Sequence, residues 1–345
     1  MIRYNEIRMN ELVVHRVGNK NRAEKNFLAA GVYNLNTEVR AALLSFFLKG
    51  LKKSELQYRF EMDERTGSNL LRDSAAKIFI DRESLYDESV HILNHLYDQS
   101  SHPNIKSGEL FVVHFQDLLI DDELVEGVGI FKCERKMEFL KISSKGDFLN
   151  LQLENGMNLG RLDKGCLILN AMQGDNYRVI SIDNNNYDTE YWMRSFLGVE
   201  PVRDEFFATK SYMEMCNDFS EQVVAKRSGK GDQMKFLSDS LDYLSEKDTF
   251  DYEEFKNSIL AEEPLKRNFK DFQQHYDFPE TYQFEISQPA VTKNRKHLSN
   301  MIKLDTGFQI KLDHDSGASQ SYLEKGFDSN KGLHYYKVYF NEEFS

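Results

Sequence analysis

The first part of the chain alternates between strand-like and helix-like patterns of apolar residues. Residues 11–17 (ELVVHRV) are rich in β-branched side chains and stop at Gly18, which predicts a strand. Residues 39–48 and 84–97 carry apolar side chains at helical spacing and therefore predict two helices. Thr37 precedes the first of these helices and is placed to act as its N-cap.

Between residues 108 and 182 the pattern changes to the short period of a β-sheet. The segment GELFVVHFQDLLIDDELVEGVGIFKCE predicts two antiparallel strands, with Asp121-Asp122 as the turn signal between them. Closely spaced strand-like runs separated by turn residues follow, and they predict an antiparallel meander. These runs are residues 138–142, 148–153, 166–171 and 177–182.

The polar run of residues 183–186 ends this pattern, and helical periodicity dominates from there to about residue 276. Strand-like segments return near the end of the chain. We therefore predict an α+β protein of two domains. Residues 1–185 form a mixed or antiparallel sheet domain with helices, and residues 186–345 form a mainly helical domain that closes with short strands.

The composition is that of a folded protein of the cytoplasm. Hydrophobic residues make up 40% of the 345 residues, which is enough for real cores. No apolar run approaches the roughly 18 residues that cross a bilayer, and the charged N-terminus predicts no signal peptide and no membrane association. Three cysteines that lie far apart fit a reducing compartment better than a disulfide framework.

The net charge of −12 narrows the ways in which this chain can contact nucleic acid. Proteins that bind DNA by bulk electrostatics are usually basic, because their cations replace counterions on the phosphates. Any direct contact must therefore come from a local basic patch.

The strongest such patch is the segment from Ser287 to Lys311. It contains five lysines and arginines and one acidic residue, Asp305, which gives a net charge of +4. Residues 200–286, by contrast, contain 11 basic and 20 acidic side chains, a net charge of −9. A helix over residues 289–300 places Lys293, Lys296 and His297 on one face. The ordinary alternative is a solvated basic face that pairs with the acidic middle region. The candidate contacts in this segment are Lys293, Arg295, Lys296 and Lys303.

A second basic segment, Lys226-Arg227-Ser228-Gly229-Lys230-Gly231, is a break between two predicted helices. A flexible basic loop can hold phosphate, and its candidate contacts are Lys226, Arg227 and Lys230. The spacing is not that of a P-loop, and no strand precedes it, so a plain connecting loop is the alternative interpretation.

Three blocks of sequence carry a family resemblance. The first is the hairpin segment quoted above, the second is YDTEYWMRSFLGVEPVRDEFFATKSYMEMCNDFSEQV, and the third is ISQPAVTKNRKHLSNMIKLDTGFQIKLD. Their order and spacing resemble the NdpA-like family of bacterial nucleoid-associated proteins over roughly residues 7–340. The resemblance implies a cytoplasmic protein found with the nucleoid, and it implies no catalytic site and no cofactor.

We therefore expect a non-enzymatic protein that binds DNA without sequence preference through phosphate contacts. One alternative is an acidic adaptor that reaches the nucleoid through another DNA-binding or DNA-processing protein. A second alternative is a metal-dependent nuclease, which requires at least three Asp, Glu or His side chains in one cleft. His91 and His95 have the i, i+4 spacing of metal ligands, but Ile92 occupies the place of the glutamate in the zinc-protease pattern.

Overall fold

The computed structural model describes residues 2–4, 6–52, 54, 56–145, 148–174, 176–185, 190–276, 283–295, 301–303, 305–311 and 323–342. The chain forms two compact units, Met1–Val202 and Arg203–Ser345. This division falls after Val202, whereas the sequence pattern placed a boundary near residue 185. The predicted α+β class is confirmed.

Within the described residues, an eight-stranded antiparallel sheet organises the first unit, with strand order β1-β4-β5-β8-β9-β3-β10 and β2 also paired with β4. The long β4–β5 hairpin turns at Asp121 and Asp122, which both take positive φ angles (48° and 68°). The predicted hairpin is therefore confirmed. The strands of this sheet are β1 (Ile2–Arg3), β2 (Arg8–Val17), β3 (Gln57–Phe60), β4 (Gly108–Ile120), β5 (Glu123–Cys133), β8 (Lys164–Gln173), β9 (Asn176–Asp183) and β10 (Val199–Pro201).

The predicted meander is wrong at one point. Strands β6 (Lys136–Lys145) and β7 (Phe148–Met157) do form, but they pair with each other in a separate two-stranded sheet. Strand β5 pairs directly with β8, so the β6–β7 hairpin is an excursion between two neighbours of the main sheet.

Helices cover both faces of the main sheet. Alternate strand residues point to opposite faces, so Phe111, Val113 and Phe131 pack with helix α1 (Thr37–Leu51), while Val112, Ile130 and Ile168 belong to the core on the other face. That second core includes helices α2 (Leu70–Ile80) and α3 (Leu85–Gln99) and the π-helical segment Glu190–Leu197. Helix α2 was missing from the sequence prediction.

The N-cap of α1 is Asn36 and not Thr37. The Asn36 side chain accepts a hydrogen bond from the Val39 N–H at 2.8 Å, and Thr37 is the first helical residue. The predicted cap is therefore wrong by one residue, because asparagine and threonine both cap helices well and residue type does not favour one of two neighbours.

The second unit is a set of helices around an aromatic core. The rings of Tyr212, Phe219, Phe250, Phe255 and Phe269 are all fully buried there. Its helices are α4 (Glu205–Phe219), α5 (Ala225–Ser228), α6 (Lys230–Glu246), α7 (Tyr252–Ile259), α8 (Glu263–Gln274) and α9 (Gln288–Asn294), with a π-helical turn Ser220–Val224 between α4 and α5. Its described strands pair two by two: β13 (Met301–Lys303) with β14 (Gln309–Lys311) and β15 (Leu323–Asp328) with β16 (Leu333–Val338) as neighbours in the chain, and β11 (Thr249–Asp251) with β12 (Gln283–Glu285) across the α7 and α8 helices.

Candidate nucleic-acid interface

The segment from Lys226 to Lys230, hereafter the helix break, spans the junction between α5 and α6, which Gly229 interrupts. Gly229 has a φ of 92° and a ψ of 178°, a conformation that glycine adopts at little cost because it has no Cβ. Lys226 and Arg227 are exposed just before the glycine, and Lys230 is half-buried as the first residue of α6.

The three cations of the helix break differ in how far they are neutralised. Arg227 forms an ion pair with Glu262 at 2.9 Å, although its side chain remains 38% exposed. Lys226 and Lys230 have no ion pair within the described part of the chain. Lys230 is the first residue of α6 and lies at the positive end of its dipole, whereas Lys226 is in the last turn of α5. The first turn of α6 also contains the acidic Asp232.

Lys293 and Arg295 lie at the end of α9. This helix starts where Gln288 donates hydrogen bonds to the carbonyl oxygens of Leu244 and Lys247, each at 3.1 Å. Lys293 is in its last turn and Arg295 follows it, and both side chains are half-buried and engaged with neighbouring groups. Lys293 therefore lies on a helix, as the sequence predicted, whereas Arg295 comes directly after it, and neither cation is freely solvated.

Helix α9 packs along α4, the helix that leads through the π-helical turn towards the helix break. At the start of α9 the Ser287 N–H donates to Thr209 Oγ1 at 2.9 Å. Near its end, Asn294 lines a cavity together with Lys210 and Asn217 of α4.

That cavity, of about 530 Å³, is acidic as well as basic. It is lined by Glu214 and Asp218, but neither carboxylate is unpartnered. Lys210 pairs with Glu214 at 2.6 Å, and the Tyr276 hydroxyl donates to Asp218. The described surroundings of α9 are therefore of mixed charge, and these residues do not form a continuous basic groove.

The structure does not describe the side chains of two predicted contacts, Lys296 and Lys303. Lys296 lies outside the described residues, as does the rest of the predicted helix beyond Arg295. Lys303 is the last residue of strand β13.

The metal-site alternative finds no ligand set in the described residues. No group of three or more His, Cys, Asp or Glu side chains is arranged there to hold a metal ion. His91 Nδ1 lies 3.3 Å from Glu88, and His95 Nε2 lies 2.9 Å from the carbonyl oxygen of Phe196. The two histidines thus serve separate structural contacts.

A buried ionic cluster in the first unit was missed by the sequence analysis. The Lys132 side chain is fully buried. Its ammonium group contacts Glu134 at 2.8 Å and the Lys106 carbonyl oxygen at 2.7 Å. It also lies 5.4 Å from the centre of the Tyr191 ring. Burial lowers the pKa of Lys132, and the carboxylate of Glu134 opposes that shift.

The same cluster extends across three neighbouring strands. Lys132 is the register partner of Lys164, and Lys164 is the partner of Asp183. The Lys164 ammonium contacts both oxygens of Asp183 at 2.7 Å. A lysine inside the apolar run of β5 was the signal in the sequence. The adjacent cavity of about 50 Å³ is too small for a nucleotide, so we interpret this cluster as structural.

The fold and the site together define a two-unit α+β protein that presents cations on a break between two helices. Along the described residues, no helix is long and apolar enough to cross a membrane. The family model described as nucleoid-associated protein YejK matches residues 13–330. Because this match covers most of the chain, the protein belongs to that nucleoid-associated family, and the resemblance seen in the sequence blocks is confirmed. A comparison with curated proteins finds no match.

Proposed function

We propose that this protein is a non-enzymatic component of the cytoplasmic nucleoid that contacts DNA phosphates directly and without sequence preference. The observation that carries the proposal is the helix break, where Lys226 is exposed and Lys230 stands at the uncapped start of a 17-residue helix. A helix N-terminus favours anions through its free N–H groups and its dipole. Membership of a nucleoid-associated family supports the same role.

Lys293 and Arg295 extend this surface in the proposal. They belong to the same helical unit as the helix break, and the proposal takes them as further phosphate contacts. Lys296 and Lys303 stay in the proposal on their charge alone. Arg227 contributes less than its charge indicates, because Glu262 holds its guanidinium.

The number of phosphate contacts sets the salt dependence. If Lys226, Arg227, Lys230, Lys293 and Arg295 all neutralise phosphates, the slope of log K against log salt is about −4.5 for duplex DNA. The affinity then falls about 500-fold between 50 and 200 mM salt. Replacing Lys226 and Lys230 by alanine reduces the slope to about −2.7.

The test is a fluorescence-anisotropy titration of a short random duplex at several salt concentrations. The variant Lys226→Ala/Lys230→Ala is compared with Lys247→Ala/Lys256→Ala, which changes the net charge equally but removes lysines already paired with Glu254 and Glu253. The proposal expects the first variant to lose affinity and slope and the second to keep both. Equal binding by the two variants would show that the helix break is not the contact.

The adaptor hypothesis is the second candidate, and the mixed charge around α9 favours it, because Glu214 and Asp218 weaken the attraction of this region for phosphates. In that case the protein alone does not bind the duplex even at low salt, and it joins the duplex only after a basic nucleoid protein has been added. The variant Glu214→Gln/Asp218→Asn then weakens this three-component assembly, whereas Lys226→Ala/Lys230→Ala does not.

A further inference from the structure

One cation of the helix break already has an anionic partner. The Arg227 guanidinium donates to a carboxylate oxygen of Glu262 at 2.9 Å, and this contact joins α5 to the start of α8. Within the described part of the chain it is the one hydrogen bond of that guanidinium, although arginine has five N–H groups to donate. The same guanidinium is a phosphate contact in the proposed function.

The helix that carries Glu262 does not use its carboxylate. Glu262 is the N-cap residue of α8 and has extended backbone angles, but its side chain accepts no capping hydrogen bond. Pro264 has no N–H to donate, and the N–H groups of Leu265 and Lys266 already donate to the Glu262 carbonyl oxygen, each at 3.0 Å. Arg227 is therefore the described partner that orients this carboxylate.

The ion pair is open to solvent, so it can be displaced. The side chains of Arg227 and Glu262 are 38% and 64% exposed, and an exposed pair contributes little to stability because water can replace either partner. Its effect on binding is more direct. A carboxylate and a phosphate both accept hydrogen bonds from the same face of a guanidinium, so the two anions cannot occupy it together.

We propose that Glu262 competes with DNA phosphates for Arg227 and thereby limits the affinity of the helix break. This inference rests on the proposed function and adds the residue that sets the strength of that contact. In the free protein Glu262 holds the guanidinium. A DNA strand that reaches Lys226 and Lys230 gains the third cation only by displacing the carboxylate into solvent.

The other acidic residue of this region supplies a matched control. Asp232 is exposed in the first turn of α6, two residues after Lys230. It lowers the local potential as Glu262 does, but within the described residues it forms no ion pair with a cation of the helix break. A change at Asp232 therefore tests the effect of charge alone.

The test uses the full chain in the fluorescence-anisotropy titration with a short random duplex. Glu262→Gln keeps the size of the side chain and removes its charge. The affinity is expected to rise about two- to five-fold, because a phosphate no longer has to displace a carboxylate. The variant also gains up to one phosphate contact, so the slope of log K against log salt should become steeper by about 0.9. Asp232→Asn is expected to raise the affinity less and to leave the slope unchanged.

A double-mutant cycle with Arg227→Ala separates competition from general electrostatics. If Glu262 acts through Arg227, Glu262→Gln should give no gain in affinity in a chain that also carries Arg227→Ala. Asp232→Asn should keep its gain in the same background, because its charge acts without Arg227. Circular dichroism verifies that each variant is folded, and all three positions are exposed.

Two outcomes overturn this inference while the proposed function stands. Either Glu262→Gln and Asp232→Asn change the affinity and the slope alike, or the gain from Glu262→Gln persists when Arg227 is alanine. The variant Lys226→Ala/Lys230→Ala is measured in the same titration. If it binds the duplex as the parent does, or if the parent does not bind, the proposed function and this inference are overturned together.

Discussion

Replacing Glu134 by glutamine removes the carboxylate that faces the buried ammonium group of Lys132. The Lys132 side chain is 0% exposed and the Glu134 side chain is 6% exposed, so water cannot take the place of the lost charge. Breaking a buried ion pair from one side costs about 3–5 kcal/mol, because the remaining charge stays buried. For a unit of about 200 residues, this loss corresponds to a fall in melting temperature of roughly 6–20 °C.

The comparison variants separate a lost ion pair from lost packing. Lys132→Met also breaks the pair, but Glu134 keeps the hydrogen bond that Asn185 donates at 3.0 Å, so we expect a smaller loss. The double variant Lys132→Met/Glu134→Gln leaves neither charge buried. We therefore expect it to be more stable than Glu134→Gln alone, because no unpaired ammonium remains.

The pH dependence gives a second check on the same reasoning. Burial lowers the pKa of Lys132, and the loss of Glu134 removes a charge that opposes this shift. The folded Glu134→Gln protein therefore favours neutral lysine more than the unfolded chain does. Its stability should rise with pH towards the pKa of an unfolded lysine, about 10.4.

The assay is urea unfolding followed by intrinsic tryptophan fluorescence. Trp192 is the single tryptophan of the chain, and it is fully buried in the first unit, so the signal reports on the unit that contains the pair. A loss below about 1 kcal/mol for Glu134→Gln, or a double variant less stable than Glu134→Gln, would refute the reasoning.

Three further predictions concern stability. Asn36→Ala should destabilise the protein by about 1 kcal/mol through loss of the α1 cap, whereas Thr37→Ala should change the urea midpoint little. Gly129→Ala should cost about 1–3 kcal/mol in the same assay, because its Cβ would lie 2.5–2.8 Å from two buried phenylalanine rings. Burial lowers the pKa of His15, so the folded state favours the neutral ring, and stability should fall as the pH drops below about 6.5, the unfolded value. His15→Gln should flatten that part of the pH profile, and an unchanged profile would contradict the assignment.

Much of the fold followed from the periodicity of the sequence. The β4–β5 hairpin was clear because β-branched and aromatic residues flank two consecutive aspartates that tolerate positive φ. Helix α2 was missed because Ser74 and Ala75 occupy two of its buried positions, and small residues give a weak apolar pattern. The strands of the β6–β7 hairpin were recognised, but alternation defines the faces of a strand and not its neighbours.

The candidate site was predictable in position but not in its electrostatic partners. The segment Lys226–Gly231 indicated a break with exposed cations, because glycine and lysine follow a helical run. The ion pair between Arg227 and Glu262 joins residues 35 positions apart, and no local pattern reveals such a pairing. The sequence did not predict the cluster around Lys132 for the same reason, since its members come from three strands and a π-helical segment.

The pairing of β10 with β3 sets the order in which the chain can fold during synthesis. Val199–Pro201 pairs with residues 58–60, so the main sheet cannot complete its edge until residue 201 has left the ribosome. Loops of this length slow folding, because their closure entropy must be overcome before the contacts form. The helices of the second unit pack against partners that lie closer to them in sequence. The β3 edge of the main sheet is therefore expected to close last, and until then it presents an unpaired strand of the kind that favours aggregation.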